Sequence, residues 1–174
     1  MINTLFENKW ISLREKITDE YSYTYSHEIR CNGQIVSVLP YRKSPLDGRI
    51  EFLLRSEFTP CWQDENVISS ITGGVENDDP LYTAQLELME EGGYRIELEK
   101  LVSLGTMYGT KSSDTVYHLF TCDLTDYEFD KNDITNSDLE SKAHCFWGTH
   151  HELLQSKDPF VYVNFVKLFE NKII

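Results

Sequence analysis

The residues best placed to do chemistry lie in "LELMEEGGY", where Glu87, Glu90 and Glu91 stand at i, i+3 and i+4. If this stretch is helical, the three carboxylates share an arc of about 100°. Helix limits are written around them. Asp79-Pro80 supplies a cap followed by proline at the first helical position, and Gly92-Gly93 supplies a stop. On the same wheel Ala84 and Leu88 flank the acidic stripe on one side, and Leu86, Met89 and Tyr82 on the other. Carboxylates set between packed surfaces repel one another unless a counter-charge joins them. Converging hard oxygens suit Mg²⁺ or Mn²⁺. An ordinary charged helix face is the competing reading of the same residues.

The rest of the chain must position this helix. Its 174 residues, 40% hydrophobic and 13% aromatic, suffice for a single globular domain with a core of its own. The formal charge is −13, from 29 acidic and 16 basic residues, which disfavours nucleic-acid backbone and anionic membrane as partners. No stretch approaches a membrane span, and the N-terminus lacks the apolar core of a signal peptide. The expectation is a soluble, cytoplasmic protein. Cys31, Cys61, Cys122 and Cys145 show neither metal nor disulfide spacing, and the five histidines show no metal spacing.

Strand patterns fill the first third: "KWISLREKI", "YSYTYSHEI", "GQIVSVLPYR" and "RIEFLLRSEF", the last two joined by the turn-forming "KSPLDG". After the helix come the strand-like "YRIELEKLVSLGTMY" and "TVYHLFTCDL", an acidic surface excursion over 125–142, and the short strand "HCFWG". "DPFVYVNFVKLFENK" closes the chain as a capped helix. These elements predict an α+β protein, an α/β/α sandwich whose mixed sheet is flanked by helices.

The helix resembles the Nudix box, G-x5-E-x7-R-E-U-x-E-E-x-G-U, with U a bulky apolar residue. Glu87 falls on the first glutamate of its second half, Leu88 on U, Glu90 and Glu91 on the paired glutamates, Gly93 on the glycine and Tyr94 on the last apolar place. "ITGGVEN" is similar to the family's glycine-led loop. Two departures stand out. Leu86 replaces the arginine, and the loop from Gly74 is two residues shorter than the pattern, so Asp78 or Asp79 stands near the place of the loop glutamate. Residues 9 to 170 are loosely similar to ADP-ribose pyrophosphatase-like Nudix enzymes. That implies a small N-terminal β extension (1–32) that mediates homodimerisation, ahead of a core over 33–174.

The resemblance implies further roles. Glu87, Glu90, Glu91 and Gly74 would hold Mg²⁺, or Mn²⁺ in its place, and Glu90 and Glu91 would serve catalysis. Asp114, in a polar loop after the box, and Glu140, before "HCFWG", are the general-base candidates. Arg55, Arg95 and Lys111 are the cations able to stand in for the missing arginine. Arg55 and Lys111, with Tyr108, are also the substrate-contact candidates, and Tyr117, Trp62 and Phe58 are further aromatics able to stack on a base. The implied partner is a small nucleotide, ADP-ribose or a nucleotide sugar, cleaved at its pyrophosphate. Two readings stand: a Mg²⁺-dependent Nudix hydrolase, and a Nudix-like nucleotide-binding or regulatory domain that has lost turnover.

Overall fold

The structure, a computed structural model, describes residues 1–134 and 143–174. It opens with an antiparallel sheet of β1 (Ile2–Glu7), β2 (Ile11–Ile17) and β3 (Ser22–Glu28), in that order. Strand β1 is an addition to the sequence expectation. Asn8 makes the β1–β2 turn by accepting from the backbone N–H groups of Trp10 (2.8 Å) and Ile11 (2.9 Å), the local bonding that favours asparagine in turns.

Two four-stranded assemblies follow. One has the order β8 (Ile71–Gly74), β4 (Gln34–Val38), β10 (Val116–Thr121), β9 (Val102–Tyr108), with β4 and β10 parallel. The other centres on β6 (Ile50–Phe58), which pairs with β11 (His144–Gly148) along one edge. Its other edge divides: residues 50–52 pair with β5 (Tyr41–Lys43), and 55–58 with β7 (Asn66–Ser69). Pro40 lacks the N–H that a continuous strand needs, so "GQIVSVLPYR" splits into β4 and β5. The expected strand from Tyr94 is also shorter. Buried Ile96 and Leu101 bracket a 3-10 turn at Leu98–Lys100, and extension begins only at Val102.

Helix α1 (Pro80–Gly92) packs on β8, β4 and β11, while α3 (Pro159–Glu170) packs on β10 and β9. A short helix, α2 (His150–Leu153), lies on β6. The expected α/β/α layering is thus present. Strand alternation assigns each side chain to a layer. Val36, Val38, Leu53 and Phe120 face α1 with Ala84 and Leu88. Phe52, Leu54 and Leu119 face α3 with Phe160, Val161 and Leu168. Arg55 and Glu57 share the parity of Leu53, and therefore point to the α1 side. That parity builds the site.

On the α3 side the cap of the last helix is also a core group. Asp158, 2% exposed, accepts from Phe160 N–H at its own helix and from the N–H and hydroxyl of Ser70, the residue between β7 and β8, both at 3.0 Å. Replacing Asp158 by alanine removes the cap and strands a buried donor, so urea unfolding should show a loss of about 2–4 kcal/mol. Burial raises the carboxyl's pKa, against the lowering effect of those hydrogen bonds. The folded state then binds the proton more tightly than the unfolded chain. This contribution weakens as pH rises from the ordinary carboxylate range through the raised value, and Asp158→Asn should flatten that slope. Among the described residues no helix is long and apolar enough to cross a membrane.

Candidate active site

Asp79 caps α1 as expected, its carboxylate accepting from the N–H groups of Leu81 (3.1 Å) and Tyr82 (3.0 Å). Gly93 ends the helix in the left-handed conformation, φ 74°, with its N–H returned to Met89. These stops fix the rotation of the helix. Glu87 and Glu91, one turn apart, line a cleft of about 360 Å³ with Glu57, Glu76, Arg30 and the glycine pair Gly73-Gly74. Glu90, half-buried at the far edge of the stripe, does not line it.

Gly73 and Gly74 make room for this arrangement. A methyl group at Gly73 would land on the Glu87 carboxylate, and one at Gly74 would sit 2.8 Å from Cys31 Cβ. Both residues belong to β8, which pairs with β4, and the missing side chain of Gly73 lets the Glu87 carboxylate approach backbone directly.

Behind the acids lies Arg55, 1% exposed. Its Nε donates to Glu57 Oε2 at 3.1 Å, and its Nη2 lies 2.9 Å from Glu91 Oε1. The second contact is an ion pair by distance whose angle falls short of a hydrogen bond, and Nη1 has no hydrogen-bond partner among the described residues. Ser69 donates to the other Glu57 oxygen at 2.8 Å. Burial pulls the guanidinium's pKa down, but Glu91, Cys145 and Glu57 outweigh it and hold the group above its ordinary value. A permanent cation therefore stands among the carboxylates, supplied from β6. Burial likewise pushes the Cys145 thiol, opposite Arg55 on β11, up to about 12, so it stays neutral.

The other candidates fall elsewhere. Asp114 faces His27 of β3, with both carboxylate oxygens 3.0 Å from Nδ1. Tyr108 is 66% exposed at the end of β9. Lys111 is exposed, and its carbonyl accepts from the Tyr23 hydroxyl at 2.7 Å. Arg95 is exposed beyond the helix, and Glu140 lies outside the described residues. Phe58 and Trp62 are about half exposed, while Tyr117 stacks on Phe160 with centroids 3.7 Å apart. Arg55 is enclosed by carboxylates, which suits orientation of the acids better than contact with a ligand. Glu57 and Glu76 are the cleft acids that sequence reading missed. For Glu57 the signal was available: it follows Arg55 by two in a strand whose Leu53 is core.

The chain matches no family model, and no curated protein matches it. Solved structures do match in shape. One is the crystal structure of an ADP compounds hydrolase, with a TM-score of 0.66 at 11% identity, covering 100% of this chain and 95% of the other. A Listeria monocytogenes protein assigned to the NUDIX hydrolases is a second neighbour, with a TM-score of 0.52 at 19% identity over 79% of this chain and 94% of its own. The fold is that of the Nudix hydrolases. Identities this low establish the Nudix fold and leave chemistry to the side chains.

The donor set suits a divalent cation in type: hard carboxylate oxygens beside a glycine cradle. As they stand, no three acid, histidine or cysteine side chains among the described residues form a ligand cluster. Glu57 and Glu91 both turn toward Arg55.

Proposed function

We propose that this chain is a pyrophosphohydrolase that cleaves the phosphate anhydride of a nucleoside diphosphate joined to another group, with ADP-ribose or a nucleotide sugar as substrate and Mg²⁺ or Mn²⁺ as cofactor. The observation that carries this reading is the convergence of Glu57, Glu87 and Glu91 on one cleft beside Gly73-Gly74, backed by a buried arginine. The Nudix fold supports it, as does the ADP compounds hydrolase among the neighbours.

Glu87, Glu91 and Glu57 would hold the cation. When bound, it supplies Lewis acidity and lowers the pKa of a coordinated water. Arg55 orients Glu57 and Glu91, at 3.1 and 2.9 Å. The glycine backbone leaves space for phosphate oxygens, and Arg30, paired with Glu28 at 3.2 Å and largely exposed, lines the same cleft as a phosphate-binding cation. Asp114 spends both oxygens on His27, so in this arrangement it orients the imidazole.

A second reading follows from the same arginine. A cleft in which Glu57 and Glu91 already pair with an internal cation fits a domain that binds nucleotides without turning them over. One experiment separates the two. The protein is incubated with Mg²⁺ and a panel of ADP-ribose, NAD and nucleotide sugars, and products are resolved by chromatography. AMP released from one compound, and abolished by Glu87→Gln, supports the hydrolase. Every compound intact while one still binds selects the binding domain.

A further inference from the structure

A second cleft, of about 250 Å³, opens where β3 meets the 109–117 segment. Into it faces His27, 6% exposed, with Nδ1 held by both oxygens of Asp114. An ionised carboxylate only accepts, so in the neutral ring Nδ1 carries the proton and Nε2 presents a lone pair. Nε2 has no partner among the described residues. Tyr117 lines the same cleft, and its hydroxyl is likewise without a partner there. Burial first, then Glu28, Asp158 and Cys31, pushes its pKa up to about 12, so it stays a donor. Glu28 and Thr110 complete a polar wall, and Ile11 an apolar one. The cleft is small, and two of its hydrogen-bonding groups, His27 Nε2 and the Tyr117 hydroxyl, are unspent.

We propose that this cleft binds a hydroxylated ring of the sugar class, with His27 Nε2 accepting from one ring hydroxyl and the Tyr117 hydroxyl donating to another. Sugar hydroxyls both donate and accept, which matches an acceptor and a donor set side by side. The volume is below that of sites for whole drug-sized ligands and fits one ring. The cleft adjoins the acid cleft: in the Glu28–Arg30 ion pair, Glu28 lines one and Arg30 the other. Assigning the ring to the group joined to the diphosphate rests on the pyrophosphohydrolase reading.

The test is NMR on the isotope-labelled full chain in EDTA, which prevents turnover. The probes are D-ribose 5-phosphate, 2-deoxy-D-ribose 5-phosphate and inorganic phosphate, each titrated to millimolar concentration. Ribose 5-phosphate should shift the His27 ring and the amides of Thr110 and Thr115, and should bind roughly tenfold more tightly than the deoxy analogue, the value of one good hydrogen bond. Inorganic phosphate should leave those signals in place. His27→Phe should erase the preference for ribose. Should that variant not fold, exposed Thr110→Val should weaken ribose binding, and ring ¹⁵N shifts in the wild type should report a bare Nε2. Equal response to all three probes, no response at His27, or a protonated Nε2 in the neutral ring would overturn the assignment. Failure to hydrolyse any panel compound with these shifts intact removes the reaction alone. Hydrolysis without the shifts removes the sugar cleft alone.

Discussion

Arg55→Met should lower stability by about 3–5 kcal/mol, the cost of removing one partner from a buried ion pair. Net stabilities run to about 5–15 kcal/mol, so the variant would sit close to unfolding. Methionine fills much of the arginine's volume, and the loss therefore reports charge. Glu91 (11% exposed) and Glu57 would lose their shared cation and face one another beside Glu87. Adding Glu57→Gln and Glu91→Gln should recover part of the loss, because a buried charge cluster replaced whole costs less than one broken. Urea unfolding with an unchanged slope checks both. A neutral Arg55→Met would mean that the acids need no internal counter-ion.

Gly73→Ala should behave in the opposite way, with hydrolysis down by about 100-fold and stability within about 1 kcal/mol of wild type. The added methyl meets the Glu87 side chain, a flexible group rather than backbone, and alanine suits a strand no worse than glycine. What moves is the carboxylate, displaced from the cleft it helps to form. Gly74→Ala provides the contrast. Its methyl meets Cys31 Cβ, an atom fixed to backbone, so the strain falls on the fold. AMP release and thermal melts measured on both variants separate site geometry from scaffold. Wild-type turnover in Gly73→Ala would show that Glu87 does not act where it now lies.

The parts of this protein legible in its sequence were those with short-range causes. Asp79-Pro80 and Asp158-Pro159 announced two helix starts, and Gly93 a helix end, because a cap is decided within four residues. The acidic stripe and its resemblance to the Nudix box gave the fold for the same reason. What stayed hidden depends on which strands become neighbours. Arg55 was one of three cations named to stand in for the missing arginine, and only the packing of β6 beneath α1 puts it 2.9 Å from Glu91. Glu57 reads as a surface acid until Arg55 and Ser69 bind it. Asp114 reads as a lone loop acid until β3 brings His27 to it across 87 positions of chain.

The origin of that cation also bears on the order in which the protein assembles. Helix α1 carries no basic residue in its last turn, where Glu90 and Glu91 oppose the helix dipole. As an isolated peptide, residues 79–94 would be a poor helix former, held back by its own carboxylates. The neutralising charge arrives on a strand some thirty positions upstream, itself tied to β11 some ninety positions beyond it. Charge balance here is a long-range contact, so we expect the acidic helix to become regular only after the strands beneath it have found each other.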